Sequence, residues 1–264
     1  MKLLIQIPCF NEAATLAATL AALPRTLPGF DAVEVLVIDD GSDDGTADVA
    51  LAHGAHHVVR LPGHQGLARA FLTGVLACLE RGADVIVNTD ADNQYSAASL
   101  PDLVAPILAG QADLVIGARP IERIAHFSPL KRFLQWLGTR VVRALSGVDV
   151  RDAPSGFRAL TREAALGTQV FSTFSYTLEA IIQAGAAGLR VVNVPVEVNP
   201  PTRPSRLFRG TLSYVLRSLA TLALVYVIYR PLRVFGTLSA VCLLPSLFLA
   251  GRYLWLMAEG EGKG

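Results

Sequence analysis

Leu3-Leu4-Ile5-Gln6-Ile7-Pro8-Cys9-Phe10-Asn11-Glu12 opens the chain with an apolar run that stops at a proline and then at polar residues. An alanine- and leucine-rich stretch from Glu12 to Leu23 follows with helical spacing, and residues 33–38 form a second apolar run that ends on Asp39 and Asp40. Two short apolar runs flanking a helical pattern make a βαβ unit. The alternation continues with strands at 56–60, 84–88 and 113–117 and helices at 66–80 and 99–109. Strands this uniformly apolar predict a parallel sheet covered on both faces, hence an α/β fold.

In such open sheets ligands bind beyond the carboxyl ends of the strands. Those positions hold Pro8 to Glu12, Asp39-Asp40-Gly41-Ser42, Thr89-Asp90-Ala91-Asp92 and Gly117-Ala118-Arg119, so four strand ends converge on one polar crevice. After Arg119 the pattern loosens, with helices expected at 129–145 and 175–187 and a strand pair around 189–198. No low-complexity linker intervenes, so residues 1–206 read as one domain with two lobes.

At 264 residues one main core is expected. Hydrophobic residues make up 52% of the chain and the mean hydropathy is +0.44, an excess that lies mostly after Tyr214. The formal net charge of +1 gives no general attraction to nucleic acid. Cys9, Cys78 and Cys242 stand in unrelated contexts without metal-type spacing, which fits a reducing compartment. The first apolar run reaches Pro8 too soon to be the core of a secretory signal.

Arg209, Arg217, Arg230 and Arg233 punctuate residues 207–233, which read as amphipathic helices in a membrane interface. Val234 to Ala250 is uncharged, and its roughly 17 residues fall short of a 30 Å hydrocarbon core. With Arg252 snorkelling and Tyr253 to Met257 extending it, a transmembrane segment at 234–257 and a tail at 258–264 are expected. The competing reading is a buried C-terminal helix. Arginines before the span and acids after it favour a cytoplasmic location for the main domain.

Asp90 and Asp92 follow an apolar strand, and hard carboxylate oxygens there suit Mg²⁺ or Mn²⁺ facing a diphosphate. Gln94 offers a neutral oxygen ligand or a structural amide. Asp39, Asp40 and Gly41 are placed to hydrogen-bond a base or ribose across a tight turn, while Asp43 and Asp44 read as caps or solvated turn residues. Pro8, Phe10, Asn11 and Glu12 line the same site, and Asn11 also reads as a helix cap. His53, His56 and His57 read as surface residues. Gly63-His64-Gln65-Gly66 fits either the donor site or a plain turn.

The chain resembles family 2 glycosyltransferases of the GT-A fold, in the polyprenyl (dolichyl) phosphate mannose synthase-like branch. The resemblance rests on Ile7 to Glu12, Val37 to Ser42, Asp90-Ala91-Asp92-Asn93-Gln94-Tyr95, and Asp152-Ala153-Pro154-Ser155-Gly156-Phe157-Arg158-Ala159. It implies a Rossmann-like nucleotide-diphospho-sugar transferase fold with C-terminal interfacial and transmembrane helices. It further implies that Asp90, Asp92 and Gln94 bind the metal. Asp39, Asp40, Gly41 and Ala91, with Pro8 to Glu12, would bind the nucleotide sugar. Ser155, Gly156, Phe157 and Arg158 would shape the acceptor side, joined by Ser205 in a basic loop, Thr202-Arg203-Pro204-Ser205-Arg206-Leu207.

The resemblance also implies a membrane-bound enzyme that moves a hexose from a GDP-mannose- or UDP-glucose-type donor to a polyprenyl phosphate, plausibly as a homo-oligomer. Such an acceptor is already an anion, so an inverting displacement needs little help from a general base. Arg119, Arg203 and Arg206 are expected to position the acceptor phosphate, although Arg119 and Arg158 are equally suited to structural ion pairs. A processive polysaccharide synthase would carry a QxxRW motif, which the chain lacks. A sugar nucleotidyltransferase would open with a glycine- and arginine-rich loop. A non-catalytic nucleotide-binding scaffold would not need acids at 39, 90 and 92.

Overall fold

The computed structural model describes residues 1–121, 129–171, 176–200, 220–221 and 223–259. Seven strands form one sheet: β1 Lys2–Cys9, β2 Ala32–Asp39, β3 His57–Arg60, β4 Val85–Asn88, β5 Leu114–Ala118, β6 Arg158–Thr161 and β7 Val191–Pro195. Their order across the sheet is β3-β2-β1-β4-β6-β5-β7. The helices of the main unit are α1 Ala13–Ala22, α2 Thr46–Ala52, α3 Leu67–Glu80, α4 Leu100–Leu108, α5 Pro129–Ser146, α6 Arg162–Leu166 and α7 Tyr176–Ala186. A single 3₁₀ turn, Ala97–Ser99, leads into α4.

Alternate residues of the strands feed the two faces of the sheet. On one, Leu3, Ile5, Ile7, Val35, Val37, Val85 and Val87 pack in one cluster with Leu16 and Leu20 of α1 and Leu103 and Val104 of α4. On the other, α3 packs against β1 and β2, and its Phe71 ring stacks on Tyr176 of α7 at 3.8 Å between centroids. Coverage of both faces is as expected, and it explains why β1 is apolar along nearly all its length.

The sheet is not wholly parallel. β6 runs antiparallel between β4 and β5, with Asn88 opposite Arg158 and Leu114 opposite Leu160. Arg158-Ala159-Leu160-Thr161, headed by an arginine, lacks the apolar run that marks strands such as β1, β2 and β4, so the pattern concealed β6 and the short α6 after it. The strand pair expected at 189–198 is one strand, β7, parallel to β5, and past it only Val198 makes an isolated bridge, to Tyr95.

Residues Ala223–Gly264 form a separate compact unit. Residues 223–229 are helical, the chain breaks at Arg230, and α8 then runs from Pro231 to Ala258. At 28 residues α8 is about 42 Å long at 1.5 Å per residue, longer than the hydrocarbon core. Its most apolar 18-residue window has a mean hydropathy of 1.9 and none of the helix is buried, so it is long and apolar enough to cross a membrane and is not buried as the competing reading expected. The helix starts three residues before the expected boundary at Val234 and carries Arg252 within it. Residues 207–219 of the expected interfacial segment lie outside the described residues.

Where α7 crosses the end of α5, a Cβ on Gly185 would stand 2.2 Å from the Ser146 carbonyl oxygen. Backbone cannot yield as a side chain can. Gly185→Ala is therefore expected to destabilise the protein by about 1–3 kcal/mol, read as a lower denaturant midpoint at unchanged slope.

Candidate active site

The carboxyl ends of β1, β2 and β4 build one side of the crevice, and the antiparallel entry of β6 builds the other. After β1, Asn11 takes a left-handed backbone with φ 54°. Its N–H donates to Ser42 Oγ at 2.9 Å and its side-chain oxygen accepts from the Asp43 N–H at 3.1 Å. Asn11 thus stitches the first strand end to the second and does not cap α1. The first N–H groups of that helix are served from the second loop, Glu12 N by Thr46 Oγ1 and Ala13 N by Asp44 Oδ2. Asp44 also accepts from the N–H of Thr46, the first residue of α2, but from one position before the N-cap, which is Gly45 and not the expected acid.

Asp39 is fully buried and one oxygen accepts from the Ser42 N–H at 2.9 Å. Its other oxygen, Oδ2, has no hydrogen-bond donor aligned on it, although Arg60 Nε stands 3.3 Å away. A buried carboxylate oxygen left in this state is an acceptor for a ligand N–H or O–H. Asp40, buried beside it, is committed to the protein: its oxygens accept from the N–H groups of Gln65 and Gly66 at 2.8 Å and meet His64 Nδ1 at 2.8 Å.

Those contacts hold the stretch Gly63 to Gly66 against the carboxyl end of β2. The His64 ring stacks on Phe10 at 3.8 Å. Gly41 admits this packing, since it has φ +73° and a Cβ there would lie 2.5 Å from the Gly63 carbonyl carbon. Cys9, sealed beneath, has its thiol held well above its ordinary pKa by burial and so is no nucleophile.

The turn after β4 carries Asp90 and Asp92. Ala91 is buried with its carbonyl accepting from Thr19 Oγ1 of α1 at 2.9 Å, and Asn93 adopts φ 55°. Asp92 Oδ1 accepts from the Gln94 N–H at 3.1 Å. Gln94 and Asn93 are tied by their carbonyls to the backbone N–H and side-chain amide of Asn199 respectively. The Asp90 carboxyl is pushed up to about 7, first by burial and then by the charge of Asp92, with Arg119 opposing. Two neighbouring carboxylates, one of them raised in pKa by burial and by the charge of the other, offer hard oxygen donors that fit a divalent cation. Asp90 and Asp92 would hold it.

Across the crevice, Gly156 lies so close that a Cβ would be 2.8 Å from Asp90 Oδ1 and 3.2 Å from Tyr176 Oη. Asn88 fixes this approach: its Nδ2 donates to the Gly156 carbonyl at 2.8 Å and to Tyr176 Oη at 2.9 Å, and its Oδ1 accepts from Gln6 Nε2. The Gly156 N–H donates to Tyr95 Oη at 3.0 Å, and the Tyr95 ring stacks on Phe157. Ser155, fully buried, lies 3.5 Å from the same hydroxyl. Asn88, Tyr95, Tyr176 and Asp152 are site-building residues that carried no sequence signal of their own, apart from membership of quoted motifs for Tyr95 and Asp152.

Arg119 and Arg158 are structurally engaged. Arg119 Nε and Nη2 bind the two oxygens of buried Asp152 at 2.7 and 3.0 Å, a bidentate pair. Arg158 is 1% exposed and donates to the carbonyls of Ser155, Thr177 and Ala153, each at 2.8 Å. Arg158 therefore shapes the loop from behind. Arg203, Ser205 and Arg206 lie outside the described residues.

Comparison with known proteins shows the family of the chain. Residues 4–166 match the family described as Glycosyl transferase family 2. An undecaprenyl-phosphate mannosyltransferase of Micrococcus luteus is 32% identical over 206 residues, covering 74% of this chain and 83% of that one. A polyprenol monophosphomannose synthase of Mycolicibacterium smegmatis is 31% identical, covering 74% and 76%. Glucosyl-3-phosphoglycerate synthase from Mycobacterium tuberculosis, solved with Mn²⁺, UDP-glucose and phosphoglyceric acid, superposes with a TM-score of 0.64 at 25% identity, covering 85% and 79%.

A raised carboxyl pKa makes the folded state bind more protons than the unfolded one, so stability falls as pH rises from the ordinary carboxyl value to about 7. Asp90→Asn is expected to raise the melting temperature of the metal-free protein. The gain should be negligible near pH 4, grow to pH 7 and level off above it, and saturating Mn²⁺ should reverse it by stabilising only the wild type.

Proposed function

Because the chain belongs to glycosyltransferase family 2, we propose that it transfers a hexose, with inversion, from a nucleoside-diphosphate sugar to the phosphate of a polyprenyl phosphate at the cytoplasmic membrane face. The observation that carries this reading is the close approach of the Gly156 loop to Asp90, which brings a carboxylate pair suited to a donor diphosphate against a second lobe suited to an acceptor. The names of the Micrococcus and Mycolicibacterium relatives support the lipid phosphate. The tuberculosis enzyme supports a nucleotide sugar with a divalent ion.

In this reading Asp39 Oδ2 receives a donor hydrogen bond from the nucleotide, and Pro8, Phe10, Asn11, Glu12 and Gly41 wall its site, with Asp40 holding His64 against Phe10. A Mg²⁺ or Mn²⁺ ion on Asp90 and Asp92, with Gln94 as a further oxygen, supplies the charge that stabilises the departing nucleoside diphosphate. Ala91, Ser155, Gly156, Phe157 and Arg158 set the width of the cleft. Arg119, paired with Asp152, acts as a positioning residue, while Arg203, Ser205 and Arg206 receive the acceptor phosphate. An acceptor oxygen attacks the anomeric carbon as the bond to the diphosphate breaks. The phosphate oxygen is already anionic, so no described side chain has to remove a proton.

The acceptor in the tuberculosis structure gives a second reading, a water-soluble phosphorylated acceptor. The two separate when membranes bearing the protein are incubated with labelled GDP-mannose or UDP-glucose, polyprenyl phosphate and Mn²⁺ or Mg²⁺. Label is expected to enter the organic phase, to stay out of it with chelator, and to be lost in a folded Asp92→Asn variant. Label confined to the aqueous phase for every donor contradicts the lipid acceptor.

A further inference from the structure

A residue beyond β7 reaches back to the turn that carries the carboxylate pair. After β7 the chain lies along residues 94–99. The Val196 N–H donates to the Ala118 carbonyl at 3.0 Å, the Glu197 carbonyl accepts from the Ser96 N–H at 3.1 Å, and the Glu197 N–H donates to Ser99 Oγ at 3.1 Å. Val198 makes the isolated bridge to Tyr95. Asn199 is thereby delivered beside Asn93 and Gln94. Its backbone N–H donates to the Gln94 carbonyl at 2.8 Å, and its side-chain Nδ2 donates to the Asn93 carbonyl at 2.8 Å.

The side-chain bond bears on the carboxylates. The Asn93 carbonyl and the Gln94 N–H belong to one planar peptide unit, so fixing one of them fixes the other. That N–H donates to Asp92 Oδ1 at 3.1 Å. The Asn199 amide therefore sets the direction of the hydrogen bond that orients the Asp92 carboxylate. The turn also needs holding, because Asn93 has φ 55°, a left-handed backbone that residues with side chains adopt at a cost. Rotation of the 93–94 peptide takes the N–H off Asp92, and the Asn199 amide opposes that rotation.

We infer that Asn199 is a positioning residue for the divalent cation, acting through the Asn93–Gln94 peptide on Asp92. The rest of the turn is secured elsewhere: Asp90 lies against Gly156, and the Ala91 carbonyl is tied to Thr19. Those contacts act before Asp92 in the chain, and Asn199 acts after it. Groups that orient a metal ligand from behind govern metal affinity by about 10- to 100-fold, because they set the geometry the ion meets. Asn199 has no place in the carboxylate motif, and 106 residues separate it from Asn93, so only the fold brings it there. The inference rests on the reading of Asp90 and Asp92 as cation ligands, and its test is independent of turnover.

Asn199→Leu removes the amide while keeping its approximate size and the backbone N–H. Asn199→Ala removes it without adding bulk and serves where leucine is not accommodated. UDP and GDP are titrated calorimetrically into each full-length protein of unchanged circular dichroism, with and without Mn²⁺. The factor by which Mn²⁺ tightens binding is expected to fall by about tenfold in the variants, while metal-free binding stays the same. A merely structural role for Asn199 would weaken binding alike with and without the ion. An equal Mn²⁺ factor in wild type and variants therefore overturns the inference and leaves the cation reading intact. No tightening by Mn²⁺ in the wild type removes both.

Discussion

Everything at the crevice depends on how closely one backbone segment can approach one carboxylate. Gly156 comes near enough to Asp90 that a single added carbon would touch it, and the approach is locked by Asn88, which reaches from the last position of β4 to the Gly156 carbonyl. Strand β6 makes this possible. By entering antiparallel beside β4 it delivers the loop before it to the carboxyl end of the parallel strands, where the acids are. A parallel neighbour would have placed its preceding loop at the opposite edge.

The electrostatics follow from that packing. Enclosing Asp90 beside Asp92 raises the cost of the Asp90 charge, and the nearby Arg119, shared with Asp152, and Arg158, turned to carbonyls, oppose this only in part. The protein thus holds an unfavourable charge that a divalent cation would relieve, a common cost of functional sites. The same arginines that deny Asp90 full compensation hold the loop that confines it.

Much of this was legible in the sequence, for physical reasons. Strands buried on both faces must be apolar throughout, so β1, β2, β4 and β5 announced themselves, and the polar residues ending them marked the crevice. β6 was not legible, because its burial is met by an arginine satisfied through backbone carbonyls, which no hydrophobic pattern records. Asn11 was equally suited to capping and to bridging, and only the neighbouring loop decided between them. The ion pair of Arg119, one of the two uses its sequence left open, is made with Asp152, thirty-three residues away. Spacing could not show it.

The central claim is that the Asp90 and Gly156 juxtaposition forms a cation-dependent nucleoside-diphosphate site. Calorimetric titration of a nucleoside diphosphate into the full-length protein, with and without Mn²⁺, tests it most directly when wild type is compared with a Gly156→Ala variant of unchanged circular dichroism. The account predicts that Mn²⁺ tightens binding at least tenfold in the wild type and does so far less in the variant, whose metal-free binding stays the same. Equal tightening by Mn²⁺ in both proteins, or none in the wild type, would contradict it.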